Sequence, residues 1–325
     1  MKLPRRNFLQ LAAGGTALAA VSHFAWAQAY PSRPVRIVVG DAAGGAPDTV
    51  ARLIGQLLAE RLGQPFVIEN RPGAGTNIAT ESVVRAPPDG YTLLVVSNSA
   101  ASSASLYEKL NFNIVSDITP VAGIARAPLV MVVNPSFPAK TVQEFVAYAK
   151  TNPGAINMAS AGIGTGPHMA GELFKVLFGI NMVHVPFRGG PPALTAILGG
   201  QAHVYFIATS SSIELIRAGK LRPLGVTTAK RWEVLPDVPA IGEFAPDYEA
   251  SIWFGVGAPK NTSAEIVDKL NKEISAGLTD PKIKLRLADL GNTGLSLLPG
   301  EFGKLIANET TKWGKVIRTA NIKPE

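Results

Sequence analysis

The sequence predicts an α/β protein of two lobes that close on a small ligand. Three observations predict it. Strand-like apolar runs repeatedly end in loops of glycine, alanine and serine that lead directly into helical patterns. Two apolar stretches, near residues 125–133 and 250–257, carry the chain out of one region and back into it. The first 29 residues have the makeup of an export signal.

That signal is read from Pro4-Arg5-Arg6-Asn7-Phe8-Leu9-Gln10, a twin-arginine pattern. A weakly apolar run over residues 11–26 follows, and then two overlapping small-residue sites place cleavage after Ala27 or Ala29. The run is too short and too rich in Gly, Ser and Thr for a comfortable membrane span, so a retained anchor is the secondary reading. The expected mature protein is exported and soluble.

Composition narrows the function classes. The chain has 325 residues and a formal net charge of +7, of which Lys2, Arg5 and Arg6 belong to the signal. The remaining excess is mild and scattered. No basic run carries interleaved aromatics, so nucleic acid is not an expected partner. There is no cysteine, which excludes disulfides, thiolate chemistry and cysteine-based metal sites.

The first unit sets the pattern. The strand-like Val35-Arg36-Ile37-Val38-Val39 enters Gly40-Asp41-Ala42-Ala43-Gly44-Gly45-Ala46-Pro47-Asp48. A helix follows, with Val50, Leu53, Ile54, Leu57, Leu58 and Leu62 recurring at spacings of three and four. Pro47 suits the first helical turn and Gly63 the position after the last. A loop nearly bare of side chains brings backbone N–H groups close to a ligand, and a helix start favours negative charge. A tight turn with no ligand is the other reading of this stretch.

The pattern then repeats. Residues 65–69 form a strand ending in Asn70-Arg71-Pro72-Gly73-Ala74-Gly75-Thr76-Asn77, with a helix over 78–85. Residues 91–96 form a strand ending in Ser97-Asn98-Ser99. An apolar run over 121–133 leaves this lobe for the second. There, residues 156–159 end in Ser160-Ala161-Gly162-Ile163-Gly164-Thr165-Gly166-Pro167, and residues 182–185 end in Pro186-Phe187-Arg188-Gly189-Gly190. Residues 203–207 end in Ala208-Thr209-Ser210-Ser211-Ser212. Residues 250–256 return to the first lobe, and the tail is helical over 263–278 and 299–317. The expected division is residues 30–126 with 250–325 as one lobe and 127–249 as the other. In open α/β sheets ligands bind beyond the carboxyl ends of strands, so the strand-end loops form the expected site.

Catalytic motifs are lacking. Gly162-Ile163-Gly164-Thr165-Gly166 fails as a dinucleotide fingerprint because Pro167 sits where the third glycine belongs. There is no phosphate-loop sequence and no nucleophile elbow. No histidine pair has metal-ligand spacing, so neither metal nor cofactor is expected. His168, inside a helix start, either points into the cleft or bonds locally. His184 and His203 read as strand-core residues. Arg188 either grips a carboxylate in bidentate fashion or stands as a solvated loop cation. Asp41 and Asp48 are not first choices, because an acid repels an anionic ligand; Asp48 reads as serving the helix start.

Several of these stretches together resemble a known family. They are Arg33-Pro34-Val35-Arg36-Ile37-Val38-Val39, Gly44-Gly45-Ala46-Pro47-Asp48-Thr49-Val50-Ala51-Arg52, Glu69-Asn70-Arg71-Pro72-Gly73-Ala74-Gly75, Pro88-Asp89-Gly90-Tyr91-Thr92-Leu93-Leu94, Gly199-Gly200-Gln201 and Leu235-Pro236-Asp237-Val238-Pro239. In this order the chain resembles the Bug (TctC-like) substrate-binding proteins of tripartite tricarboxylate transporters. The resemblance implies a type II periplasmic-binding-protein fold, hinged through two crossover strands. It also implies a non-catalytic, monomeric protein that binds a small carboxylate, a di-/tricarboxylate or aromatic acid, and delivers it to membrane subunits. The implied ligand-binding residues are Ala43, Gly44, Gly45, Ala46, Gly73, Ala74, Gly75, Asn77, Ser97, Asn98, Ser99, Ser160, Gly164, Thr165, Gly166, His168, Arg188, Gly189, Ala208 and Thr209.

One departure bears on the ligand. After Gly199-Gly200-Gln201 the next strand ends in Ile207-Ala208, where members of the family often carry an acid, and His203 stands where an earlier acid is common. An ammonium group there lacks a partner, and an unpaired buried charge is costly. The expectation is therefore a plain or aromatic carboxylic acid rather than an amino acid. An exported α/β hydrolase and a sensor for a signalling system are the alternative functions.

Overall fold

The computed structural model describes residues 30–107 and 109–324. The export signal and its cleavage sites lie outside the described residues. Residues Arg33–Glu325 form one compact unit built on two β-sheets.

The first sheet starts with β1 (Val35–Val39), which pairs in parallel with β2 (Phe66–Asn70) and β3 (Thr92–Ser97). Helix α1 (Ala46–Leu62) supplies the crossover between β1 and β2. It buries Val50, Ala51, Ile54, Leu57 and Leu58 and ends where Gly63, at φ 72°, donates its N–H to the Ala59 carbonyl. Helices α2 (Asn77–Val84) and α3 (Asn98–Leu106) follow β2 and β3. The sheet is completed by β4 (Ile118–Ala127), β10 (Ile252–Pro259) and the short β11 (Thr293–Gly294), in the order β11-β4-β10-β3-β1-β2. β10 runs antiparallel to both neighbours, as expected for a strand entering from elsewhere.

The second sheet has the order β7-β6-β8-β5-β9. Its strands are β5 (Leu129–Val133), β6 (Asn157–Ser160), β7 (Val183–Pro186), β8 (Val204–Ala208) and β9 (Arg222–Val226). Helices α4 (Val142–Thr151), α5 (Gly166–Phe178), α6 (Gly190–Leu198) and α7 (Thr209–Arg217) alternate with them. The tail forms α8 (Ala264–Thr279), α9 (Pro281–Asp289) and α10 (Pro299–Thr319). Gly277 of α8 lets that helix lie against α1: a Cβ there would come 2.1 Å from Leu57 Cδ2.

Pro128 alone separates β4 from β5. Lacking an N–H, it breaks the ladder where one sheet gives way to the other. The two passages between the sheets are tied at Thr227. Its hydroxyl accepts from Leu129 N–H at 2.9 Å, and its carbonyl accepts from Ala250 N–H at 2.9 Å. The second passage is anchored further. Buried Tyr248 donates to the Ala170 carbonyl of α5 at 3.0 Å, and Glu249 accepts from Lys312 of α10 at 3.0 Å. Glu309 of α10 takes the indole N–H groups of both Trp253 and Trp313 on one oxygen, at 3.1 and 2.8 Å. Among the described residues no helix is long and apolar enough to cross a membrane.

Candidate functional site

Between the carboxyl ends of the two sheets' strands lies a cavity of about 660 Å³, lined from both sides. The first sheet's side contributes residues 41–47 after β1, Ser97 at the end of β3 with Asn98 and Ser99 after it, and Ile252 and Phe254 of β10. The second contributes Leu129, Ala161, residues 165–167, residues 188–192, Leu194, Tyr205, Ile207, Ala208 and Ser211.

Five helix starts meet at this cavity. Lining residues Ala46, Asn98, Gly166 and Gly190 are the first residues of α1, α3, α5 and α6, and Ala208 immediately precedes α7. A helix leaves its first N–H groups without intrahelical partners and carries partial positive charge at that end. None of these five has a hydrogen bond from an N-cap side chain. Away from the cavity, helices α4, α8 and α9 are capped by Thr141, Ser263 and Asp280, whereas α2 and α10 have no such bond. Prolines Pro47, Pro167 and Pro191 stand in the first turns of three cavity helices, where a missing N–H costs no bond. The cavity is therefore rimmed by donors and positive dipole ends, an arrangement suited to an anion.

The loop after β1 is set locally. Gly44 adopts φ +80°, the left-handed region that glycine enters without a Cβ penalty, and Gly45 N–H closes the turn on the Ala42 carbonyl at 3.2 Å. Asp48 is buried; it accepts Gly44 N–H at 2.8 Å and is held by Arg52 at 2.9 and 3.0 Å. Burial alone would raise this carboxyl, but hydrogen bonds from Arg52, Gly44 and Asn70 hold it below its ordinary range. Asp41 differs: its carboxyl has no hydrogen-bond or ion-pair partner among the described residues, and burial pushes it up to about 6. Arg188 is exposed and makes no ion pair among the described residues.

Twelve of the residues singled out from sequence line this cavity: Ala43, Gly44, Gly45, Ala46, Ser97, Asn98, Ser99, Thr165, Gly166, Arg188, Gly189 and Ala208. The others are placed elsewhere. Gly73, Ala74 and Gly75 form a left-handed turn packed on α3, where Ser103 Oγ donates to the Gly75 carbonyl at 2.6 Å. Asn77 opens α2, buried. Gly164 gives its carbonyl to Ser102 Oγ at 2.8 Å. Thr209 is buried and donates to the Gly291 carbonyl at 3.1 Å.

Ser160 and His168 support the β6–α5 loop from below. Ser160 is fully buried; its Oγ accepts Gly162 N–H at 3.1 Å and lies 2.6 Å from His184 Nε2. His168 Nδ1 accepts Gly164 N–H at 3.1 Å, its ring stacks on His184 with centroids 3.7 Å apart, and its Nε2 is 3.7 Å from Glu172 Oε1. His168 thus bonds locally instead of facing the cavity. His184 is half-buried at the sheet edge; burial, then the neighbouring His168, depress it to about 3. His203 also bonds through its ring, Nδ1 accepting Asn157 N–H at 2.8 Å.

Sequence reasoning missed the apolar wall. Ile252 and Phe254 stand two apart on β10 and so share one face, as do Tyr205 and Ile207 on β8; that spacing was the available signal. It also set Asp41 aside on charge grounds, although Asp41 stands at the end of β1 beside the cavity.

Residues 50–322 match the model of the tripartite tricarboxylate transporter family receptor, TctC. A protein of R. palustris solved with adipate is similar at 36% identity and a TM-score of 0.83, over 91% of this chain and 100% of that one. The periplasmic binding protein BugD is similar at 33% identity and a TM-score of 0.81, over 91% and 100%. MatC of Rhodopseudomonas palustris, solved with bound malate, is similar at 34% identity and a TM-score of 0.79, over 89% and 100%. These likenesses extend over both sheets and agree with a two-lobe α/β architecture. The chain belongs to the TctC, or Bug, family of substrate-binding receptors.

Proposed function

We propose that this protein is an extracytoplasmic solute receptor that captures a small carboxylate between its lobes and delivers it to the membrane subunits of a tripartite tricarboxylate transporter. The observation that carries this reading is the meeting of five helix starts, all without N-cap side-chain bonds, around one cavity. A cavity of this size falls within the range of small-molecule sites, about 300–1,000 Å³. The lobes are residues 30–126 with 250–325, and 127–249. The adipate- and malate-bound relatives support a carboxylate as the solute.

The protein acts as a receptor without catalysis. The close pair Ser160 and His184 is the nearest thing to a nucleophile and base. Yet Ser160 is fully buried and does not border the cavity, so its hydroxyl cannot reach a bound solute. Residues 1–29 direct twin-arginine export to the periplasm. Replacing Arg5 and Arg6 by lysine is expected to leave precursor in the cytoplasm; normal processing of that variant rejects this route.

A thermal-shift screen of residues 30–325 against small carboxylates, neutral sugars and cationic amines tests the function. A ligand at about one hundred times its Kd adds roughly 2.7 kcal/mol. Stabilisation is expected among the carboxylates alone. A response confined to sugars or amines contradicts the reading.

A further inference from the structure

We infer that Asp41 selects, within the carboxylate class proposed above, solutes that also carry an ammonium group. This rests on the receptor reading and narrows it. The end of β8 provides no acid, since Ile207 and Ala208 stand there; the end of β1 provides one on the opposite side of the same cavity. Asp41 and Arg188 therefore line one space from different lobes.

The charges around this space explain the choice. Asp48 is neutralised by Arg52, and Glu69 at the neighbouring strand end pairs with Arg71 and Arg36. The other ionisable group in the cavity wall is the phenol of Tyr205, which burial pushes up and keeps neutral. Asp41 and Arg188 are thus the two charged side chains lining the cavity, of opposite sign, and neither is ion-paired among the described residues.

A zwitterion matches that arrangement: its carboxylate meets Arg188 and the helix starts, and its ammonium meets Asp41. A plain dicarboxylate sets a second negative charge near Asp41, and one of the two acids must then take up a proton. Ionised carboxylates accept hydrogen bonds only, and the Asp41 carboxyl has no donor among the described residues, so a solute ammonium can satisfy it when water leaves the cleft.

The experiment is calorimetric titration of residues 30–325 with matched pairs: aspartate and succinate, glutamate and glutarate, β-alanine and propionate. The amino member of each pair is expected to bind about tenfold tighter or more, a preference worth about 1.4 kcal/mol. Asp41→Asn should bring the two members to near equality. If the plain acids bind as tightly as their partners, or Asp41→Asn leaves the preference intact, this inference fails while the receptor reading stands. If no carboxylate binds, both fail. Should Asp41→Asn not fold, the unmodified protein decides the matter near pH 6, where Asp41 is half-protonated. Aspartate binding is expected to release protons there, detected by titrating in buffers of different ionisation enthalpy, because a nearby ammonium lowers the carboxyl. Proton uptake overturns the inference.

Discussion

Ser102 Oγ donates a 2.8 Å hydrogen bond to the Gly164 carbonyl, joining a helix that follows the first sheet to a loop that follows the second. Both residues are packed at this contact: Ser102 is fully buried, and a Cβ on Gly164 would come 2.9 Å from Leu106 Cδ2. Gly166 is tighter still, its would-be Cβ 2.4 Å from Ile252 Cγ2 and 3.1 Å from Asn98 Nδ2. The β6–α5 loop owes its glycines as much to the approach of the two lobes as to any ligand.

We propose that this bond forms as the lobes close on the solute; Ser102→Ala is then expected to weaken solute binding about fivefold, since a net hydrogen bond contributes about 1 kcal/mol. The thermal midpoint of the ligand-free protein should change little. Titration calorimetry with the tightest-binding acid checks it; unchanged affinity would remove the bond from closure.

Arg188→Ala should reduce affinity for every acid about tenfold, near the lower end of charged hydrogen bonds at roughly 1.5 kcal/mol, because the side chain is exposed and partly screened. Arg188→Lys should recover only part of this, as a single ammonium cannot reproduce the bidentate fork. Equal affinities in all three proteins would make Arg188 a solvated loop cation.

Asp41→Asn is expected to stabilise the ligand-free protein at neutral pH. Burial raises the Asp41 carboxyl from 3.8 to about 6 in the folded state. Folding then binds a proton, so stability falls as pH rises from the ordinary value through about 6 and stays low above it. Removing the charge should restore roughly 1–3 kcal/mol at neutral pH and nothing below the ordinary value. Urea unfolding in the two pH ranges measures this; a variant less stable at neutral pH would show that the carboxylate has a partner in the fold.

Glu309→Leu should be strongly destabilising. It strands two buried indole N–H groups, those of Trp253 and Trp313, each at a cost of about 1–3 kcal/mol. The readout is denaturant unfolding followed by tryptophan fluorescence, and a loss below 1 kcal/mol, roughly the value of one ordinary hydrogen bond, would contradict it.

Much of this architecture is legible in the sequence because apolar runs and glycine-rich strand ends are local signals. Val35–Val39 and its helix are set by spacing, Pro47 and Gly63 alone. Helices α3 and α7 were not. Their serine-rich starts hide the pattern: α7 carries its apolar Ile213, Leu215 and Ile216 only in its second half, and α3 is held by packing of Ala100, Ala101, Ser102 and Ser103 in the interior. The turn at Gly73 and Gly75 looked like the other bare loops, yet its left-handed backbone serves packing on α3, a role fixed by Ser103 from a distant part of the chain. Asp41 reads from the sequence chiefly as a charge that repels an anion; its place in the same cavity wall as Arg188 emerges only when both strand ends meet.

The most direct test of the central claim is a crystal structure of residues 30–325 grown with the tightest-binding acid. The expected result places the solute's carboxylate between the helix starts at Ala46 and Gly166, accepting backbone N–H groups from both lobes. A solute bound outside this cavity, or inside it with its carboxylate turned away from those helix starts, would contradict the account.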